Sequence, residues 1–246
     1  SIVSRCATTS ILLCNSVYVW PANIPFQHPI RGLCCTMANG FTKIKNNLLA
    51  QYKAGATEAG IDEAGRGCYA GPVVAAAVVL APGFAHPLLY DSKQMKPADR
   101  LLLKTIIESE AVAWAIGLAT VEEIDKYNIL KATYMAMHRA IDKLNTKPQH
   151  LLIDGNRFAP YSGIIHTCVV KGDSLYTSIA AASVLAKTYR DAYMEQLHEQ
   201  YAPYDWKQNK GYGTAQHRQA IAQYGLTPHH RKSFNIVPVQ QDLFSK

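Results

Sequence analysis

Gly60-Ile61-Asp62-Glu63-Ala64-Gly65-Arg66-Gly67 is the stretch on which the reading of this chain turns. The run from Thr57 to Glu63 reads as a strand, and it delivers two adjacent acids into a turn rich in glycine. Successive strand residues point to opposite faces, so Asp62 and Glu63 serve one site only if the strand ends or bulges there. Gly65, Gly67 and Gly71 supply the backbone freedom for that. By itself the segment also fits an exposed turn.

Working outward, Val73 to Leu80 reads as a second strand beside the first. Upstream, Ile44 to Tyr52 is expected to be helical. Pro97 can open a helix through Leu103 and Ile107, and Val112, Trp114, Ile116 and Leu118 alternate with small residues as a third strand does. Leu130, Tyr134, Met137, Ile141 and Leu144 fall on one helical face. Leu151–Ile153 and Ile164–Val170 are two further strands, and Leu175, Ile179, Ala182, Ala186 and Leu197 mark a long amphipathic helix. A shorter helix spans Thr214 to Tyr224 in a more polar C-terminal part. Strands in a row followed by alternating helix and strand imply an α/β chain with a mixed central sheet flanked by helices.

At 246 residues and 48% hydrophobic, the chain can bury one substantial core. Its formal charge of +7 suits a polyanionic partner without requiring one. Four of the six cysteines, Cys6, Cys14, Cys34 and Cys35, lie in the first 35 residues, and there is no CxxC pair. That spacing fits free thiols in a cytoplasmic protein better than a zinc site or a disulfide framework. No apolar run is long enough for a membrane span. Residues 1–36 are expected to be an extension, disordered or not native, ahead of Met37.

Two more acids occupy places like that of Asp62. Asp154 follows the apolar Leu151–Ile153, and Asp173 follows Val169-Val170-Lys171-Gly172. Residues at the carboxyl ends of parallel strands gather beside a crevice, so both could converge with Asp62. Alone, Asp173 also reads as a helix N-cap and Asp154 as a turn residue. Clustered carboxylates repel unless a cation holds them, and hard oxygen ligands favour Mg²⁺ or Mn²⁺. Two such ions suit in-line phosphodiester hydrolysis.

From Ala56 to Phe234 the chain resembles the bacterial ribonuclease HII family. The motifs are Asp62-Glu63-Ala-Gly65-Arg66-Gly67, Asp91-Ser92-Lys93, Asp154-Gly155-Asn156, Lys171-Gly172-Asp173, Ser178-Ile-Ala-Ala-Ala-Ser183-Val-Leu-Ala-Lys187, Gly211-Tyr212-Gly213-Thr214 and His230-Arg-Lys-Ser-Phe234. The resemblance implies a ribonuclease H-like fold over 55–235, with a small helical C-terminal subdomain, and a monomer. It implies a two-metal endonuclease for RNA–DNA hybrids and ribonucleotide-containing duplex DNA, with Asp62, Glu63, Asp154 and Asp173 as catalytic metal ligands. It also implies that Gly65, Arg66 and Gly67 reach the ribose 2′-hydroxyl through backbone groups. Tyr212 would stack on the sugar of the following deoxynucleotide; without its motif it would read as a loop aromatic.

Ser183, Lys187 and Arg190 form a polar stripe at i, i+4 and i+7, which is either solvated surface or, with Lys93, Lys207, Lys210, Arg231 and Lys232, a phosphate-holding track. His217, His229 and His230 lack metal-ligand spacing and read as surface or phosphate contacts. Gly172-Asp173-Ser174-Leu175 matches a serine-esterase motif, but no Asp has a His three residues later to complete it. The other alternative is a non-catalytic hybrid-binding protein. In the tail 236–246, Gln240, Leu243 and Phe244 resemble the short peptide by which bacterial replication proteins dock on the sliding clamp.

Overall fold

Strands β1 (Glu58–Ala64), β2 (Val73–Val79), β3 (Ala113–Ala119), β4 (His150–Asp154) and β5 (Ile165–Val169) form one sheet in the order β3-β2-β1-β4-β5. β1–β2 and β2–β3 are antiparallel, whereas β1–β4 and β4–β5 are parallel, so this is the expected mixed sheet. The computed structural model describes residues 48–90 and 95–236. Residues 1–36, Lys93, and Gln240, Leu243 and Phe244 lie outside the described residues.

The helices are α1 (Pro97–Glu110), α2 (Val121–Tyr127), α3 (Ile129–Asp142), α4 (Thr177–Gln200), α5 (Trp206–Asn209) and α6 (Ala215–Tyr224). β2 divides its side chains between two cores. Val73, Ala75 and Ala77 pack with Ala136, Met137 and Ala140 of α3, while Ala76 and Val78 pack with Leu103 of α1 and Ala181 and Leu185 of α4. A strand covered on both faces has no polar side, which is why β2 is an unbroken apolar run. Two glycines let helices sit directly on the sheet. A Cβ at Gly60 would lie 2.1 Å from the Ser178 carbonyl carbon of α4, and one at Gly117 would lie 2.1 Å from the Ala136 oxygen of α3.

That close packing decides which side chains are most deeply buried in three of the expected elements. In β3 it is Ala113, Ala115 and Ala119 that are buried, and Trp114, Ile116 and Leu118 are only half-buried. In α3 the buried stripe is Ala132, Thr133, Ala136, Met137, Ala140 and Ile141, with Leu130 exposed. Residues 177–186 of α4 are buried all round, and Leu175 lies exposed outside the helix. Small side chains win these positions because they permit the approach, not because they are the most apolar.

Leu48–Tyr52 is not helical; Leu49 instead bridges Tyr176 in parallel. α2 was not anticipated, although Thr120 and Glu123 form a reciprocal capping box at its start. Beyond α4, Tyr204, Trp206, Ala220 and Ile221 make a small separate core with Ala70, Met194 and Leu197. No helix among the described residues is long and apolar enough to cross a membrane.

Candidate active site

The parallel pairing of β1 with β4 stops at Ile61↔Ile153, while the antiparallel pairing of β1 with β2 runs on to Ala64↔Val74. The strand therefore neither ends nor bulges at Asp62, contrary to expectation. What ends is one neighbour, and both acids stand beyond the last β1–β4 pair. Asp154 closes β4 next to Asp62, on the face that α4 covers. Gly60 brings α4 onto that face, and Ser183 from the helix hydrogen-bonds Asp62.

Asp62 is buried and accepts the Glu63 amide at 2.7 Å. Burial first, then the charges of Glu63 and Asp154, hold its carboxyl well above the usual aspartate range, against the hydrogen bonds from Ser183 and the Glu63 amide. Burial also raises Glu63, opposed by Arg66, whose Nη1 lies 3.1 Å from Glu63 Oε1. Asp154 Oδ1 accepts the amide of Gly172 at 2.7 Å, which ties the turn carrying Asp173 to the end of β4. Asp173 is buried in a 3₁₀ turn, Gly172–Ser174, and is not a helix cap.

The glycine turn is held from behind by two buried arginines. Arg231 donates to the carbonyls of Gly65 (2.6 Å), Arg66 (2.8 Å) and Gly71 (2.8 and 3.0 Å). Arg190 donates to Pro72 O (3.1 Å), Ala70 O (3.0 Å) and Lys210 O (2.8 Å). Gly65 has φ +93°, and a Cβ there would lie 1.9 Å from Arg190 Nε; a Cβ at the exposed Gly67 would meet nothing within 4 Å. Lys210 O is the point at which Arg190 joins this turn to the loop bearing Tyr212. That ring is 43% exposed, hydrogen-bonds the Cys68 thiol, and has Lys187 Nζ and Arg190 Cζ each 6.0 Å from its centroid.

The family model described as ribonuclease HII matches residues 59–237. The chain belongs to the ribonuclease HII family. It is 60% identical over 190 residues to ribonuclease HII of Bacteroides fragilis, covering 77% of this chain and 94% of that protein. With ribonuclease HII of Parabacteroides distasonis it shares 58% identity over 196 residues, covering 80% and 98%. Among solved structures it is similar to ribonuclease H2 of Pyrococcus horikoshii OT3, with a TM-score of 0.62 and 26% identity over 73% of this chain and 94% of that one. A second likeness is to the PCNA:RNase HII complex of Archaeoglobus fulgidus, with a TM-score of 0.62 and 25% identity over 76% and 98%.

In this ribonuclease HII family member the donor set fits a hard divalent cation. Asp62 and Glu63 both sit in the field of Asp154, and the oxygens that gather there are carboxylate oxygens. Among the described residues no three His, Cys, Asp or Glu side chains stand close enough together to hold a metal ion as one group.

The polar stripe on α4 divides. Ser183 is buried against Asp62, Lys187 pairs with Asp191 at 2.8 Å, and Arg190 is buried. Arg190 and Arg231 direct their donors to backbone carbonyls, so they brace the site and do not form part of a phosphate track. His217 and His230 are fully buried, which corrects their reading as surface residues. Ser174 is exposed with its hydroxyl 3.4 Å from Asp173 Oδ1, and no histidine among the described residues hydrogen-bonds it, so the esterase alternative lacks its base.

Proposed function

We propose that this chain cuts the RNA strand of RNA–DNA hybrids and nicks 5′ of ribonucleotides embedded in duplex DNA, at Asp62, Glu63, Asp154 and Asp173. The observation that carries this reading is the notch where β1 outruns β4, with Asp62, Glu63 and Asp154 at its lip and Asp173 tied in through Gly172. These four acids would hold two divalent ions, Mg²⁺ or Mn²⁺, which supply charge neutralisation and Lewis acidity for in-line displacement at phosphorus.

The remaining roles belong to the protein's own groups. Ser183 orients Asp62. With the Gly65 and Arg66 carbonyls held from behind by Arg231, the exposed backbone at Arg66–Gly67 presents its amide groups to a ribose 2′-hydroxyl, and the open space over Gly67 admits the sugar. Tyr212 stacks on the sugar of the next deoxynucleotide, and Lys187 and Lys93 hold flanking phosphates. Water attacks and the bond to O3′ breaks, leaving 5′-phosphate and 3′-hydroxyl ends.

The test compares cleavage of a DNA duplex carrying one ribonucleotide with cleavage of an all-RNA strand on DNA, with and without EDTA. EDTA-sensitive cutting with those ends is expected. A 2′,3′-cyclic phosphate would overturn the mechanism, and binding without cutting would favour the hybrid-binding alternative. The tail resemblance at Gln240, Leu243 and Phe244 adds a partner, the sliding clamp, which gains support from the similar archaeal enzyme's structure in complex with PCNA.

A further inference from the structure

Trp206, His217 and His230 are each fully buried in the C-terminal core, and their ring nitrogens are joined. Trp206 Nε1 can only donate, and it does so to His217 Nε2 at 3.0 Å. The Thr227 amide likewise donates to His230 Nδ1 at 2.9 Å. These two obligatory donors set both tautomers. With Nδ1 accepting from Thr227, whose Oγ1 also lies 2.9 Å from it, His230 carries its proton on Nε2, 3.2 Å from His217 Nε2, where it shares with Trp206 the one lone pair of that nitrogen. The proton of His217 is then on Nδ1, where it is donated to the carbonyl of Tyr212 at 2.9 Å. Burial lowers the pKa of both rings, that of His230 to about 4, so both are neutral at pH 7, as this donor pattern requires.

The network thus starts in an apolar core and ends on the peptide of one loop residue. Polar groups in such a core are costly unless fully satisfied, and packing alone would be served by apolar side chains. The N-terminal side of the Tyr212 loop is held separately, by Arg190 on Lys210 O and by the Tyr69 amide on Gly211 O. Among the described residues, His217 is the side chain that holds the carbonyl of Tyr212; the Thr214 amide also donates to it.

We infer that His217, oriented by Trp206 and His230, is a positioning residue that presents Tyr212 to the sugar beyond the scissile ribonucleotide and so sets the preference for an RNA-to-DNA junction over continuous hybrid. This deepens the proposed role of Tyr212 and rests on it.

Two substitutions separate holding the loop from filling the core. In His217→Asn the amide nitrogen stands near the place of Nδ1 and can still donate to Tyr212 O. In His217→Gln the longer side chain reaches toward Trp206 and His230 and gives up that bond. The readout is the ratio of kcat/KM on a duplex with one ribonucleotide to kcat/KM on an all-RNA strand over DNA, with thermal midpoints as a check on folding. His217→Gln is expected to lower the ratio about fivefold, toward the value for Tyr212→Ala, as loss of about 1 kcal/mol of stacking would, while His217→Asn keeps most of it. Equal ratios in the two His217 variants, or the reverse order, would overturn the inference. An unchanged ratio in Tyr212→Ala would instead remove the role of Tyr212 beneath it; a loss there without one in His217→Gln removes only the brace. Should neither His217 variant fold, ¹⁵N spectra of the wild-type rings decide, since a proton on His217 Nε2 at pH 7 contradicts the assigned chain of donors.

Discussion

Gly65→Ala and Gly67→Ala add one methyl to the same turn, two residues apart, and should fail in different ways. At Gly65 the backbone has φ +93°, where an L side chain costs about 1–2 kcal/mol. The new Cβ would also lie 1.9 Å from Nε and 2.5 Å from Cδ of Arg190. Arg190 is buried and holds three carbonyls, so it has no vacant volume into which to swing. Losing one charge-assisted bond costs about 1.5–3 kcal/mol, which with the strain gives about 2.5–5 kcal/mol, a large part of a domain's typical 5–15. Gly67 is exposed, has no φ in the left-handed range, and its Cβ would meet nothing within 4 Å, so its substitution should change stability by less than about 0.5 kcal/mol. If a ribose approaches the backbone there, the methyl intrudes on substrate, and kcat/KM should fall by at least about tenfold, or 1.4 kcal/mol of transition-state binding. Guanidinium denaturation of each variant, paired with cleavage of a duplex carrying one ribonucleotide, reads both quantities. A Gly65→Ala protein as stable as wild type refutes the packing argument. A folded Gly67→Ala enzyme that cuts normally removes the turn from the substrate site.

Asp62→Asn and Asp154→Asn should abolish cleavage with folding retained, because each keeps a carbonyl oxygen for its backbone partner, the Glu63 or Gly172 amide, while losing the charge; wild-type turnover in either would refute the site. The histidines make stability pH-dependent: the pKa of His230 falls from 6.5 to about 4 on folding, so the unfolded chain binds the extra proton. Stability from this source is complete above pH 6.5 and is lost as pH falls toward 4, which denaturation midpoints in the Asp62→Asn background should show, since the raised carboxyls of Asp62 and Glu63 act in the opposite sense. A midpoint that is flat over that range would contradict neutral burial of His230. A chain ending at Val239 should lose affinity for the sliding clamp with nuclease activity intact; equal clamp binding by the full and shortened chains would dispose of the tail's role.

Much of the site was legible because it is local. An apolar strand that delivers Asp62 and Glu63 into a glycine turn, and a short one that ends in Asp154, are patterns a few residues long, and each lies where it was read. Periodicity placed these elements but not their most deeply buried faces, where size rather than hydropathy decides: at Gly60 and Gly117 a helix touches the sheet, and alanines of β3 and α3 are buried while Trp114 is half-buried against the second core and Leu130 is exposed.

Residue order by itself located the five strands, α1, α3, α4 and α6 and the mixed sheet, since these follow from alternation and spacing along the chain, whereas α2 escaped it and the four acids are proposed as a set on the resemblance to the ribonuclease HII family. Only the tertiary structure decided that the β1–β4 register ends at Ile61 and Ile153, which is what sets Asp62 beside Asp154. It also decided the fate of the polar residues. Arg231 reaches back 166 residues to the Gly65 carbonyl, and Arg190 reaches 118 to that of Pro72. An arginine on a helix or loop is solvated unless something else satisfies its donors, and carbonyls so distant in sequence can meet it only after the sheet has formed and the chain has folded over it.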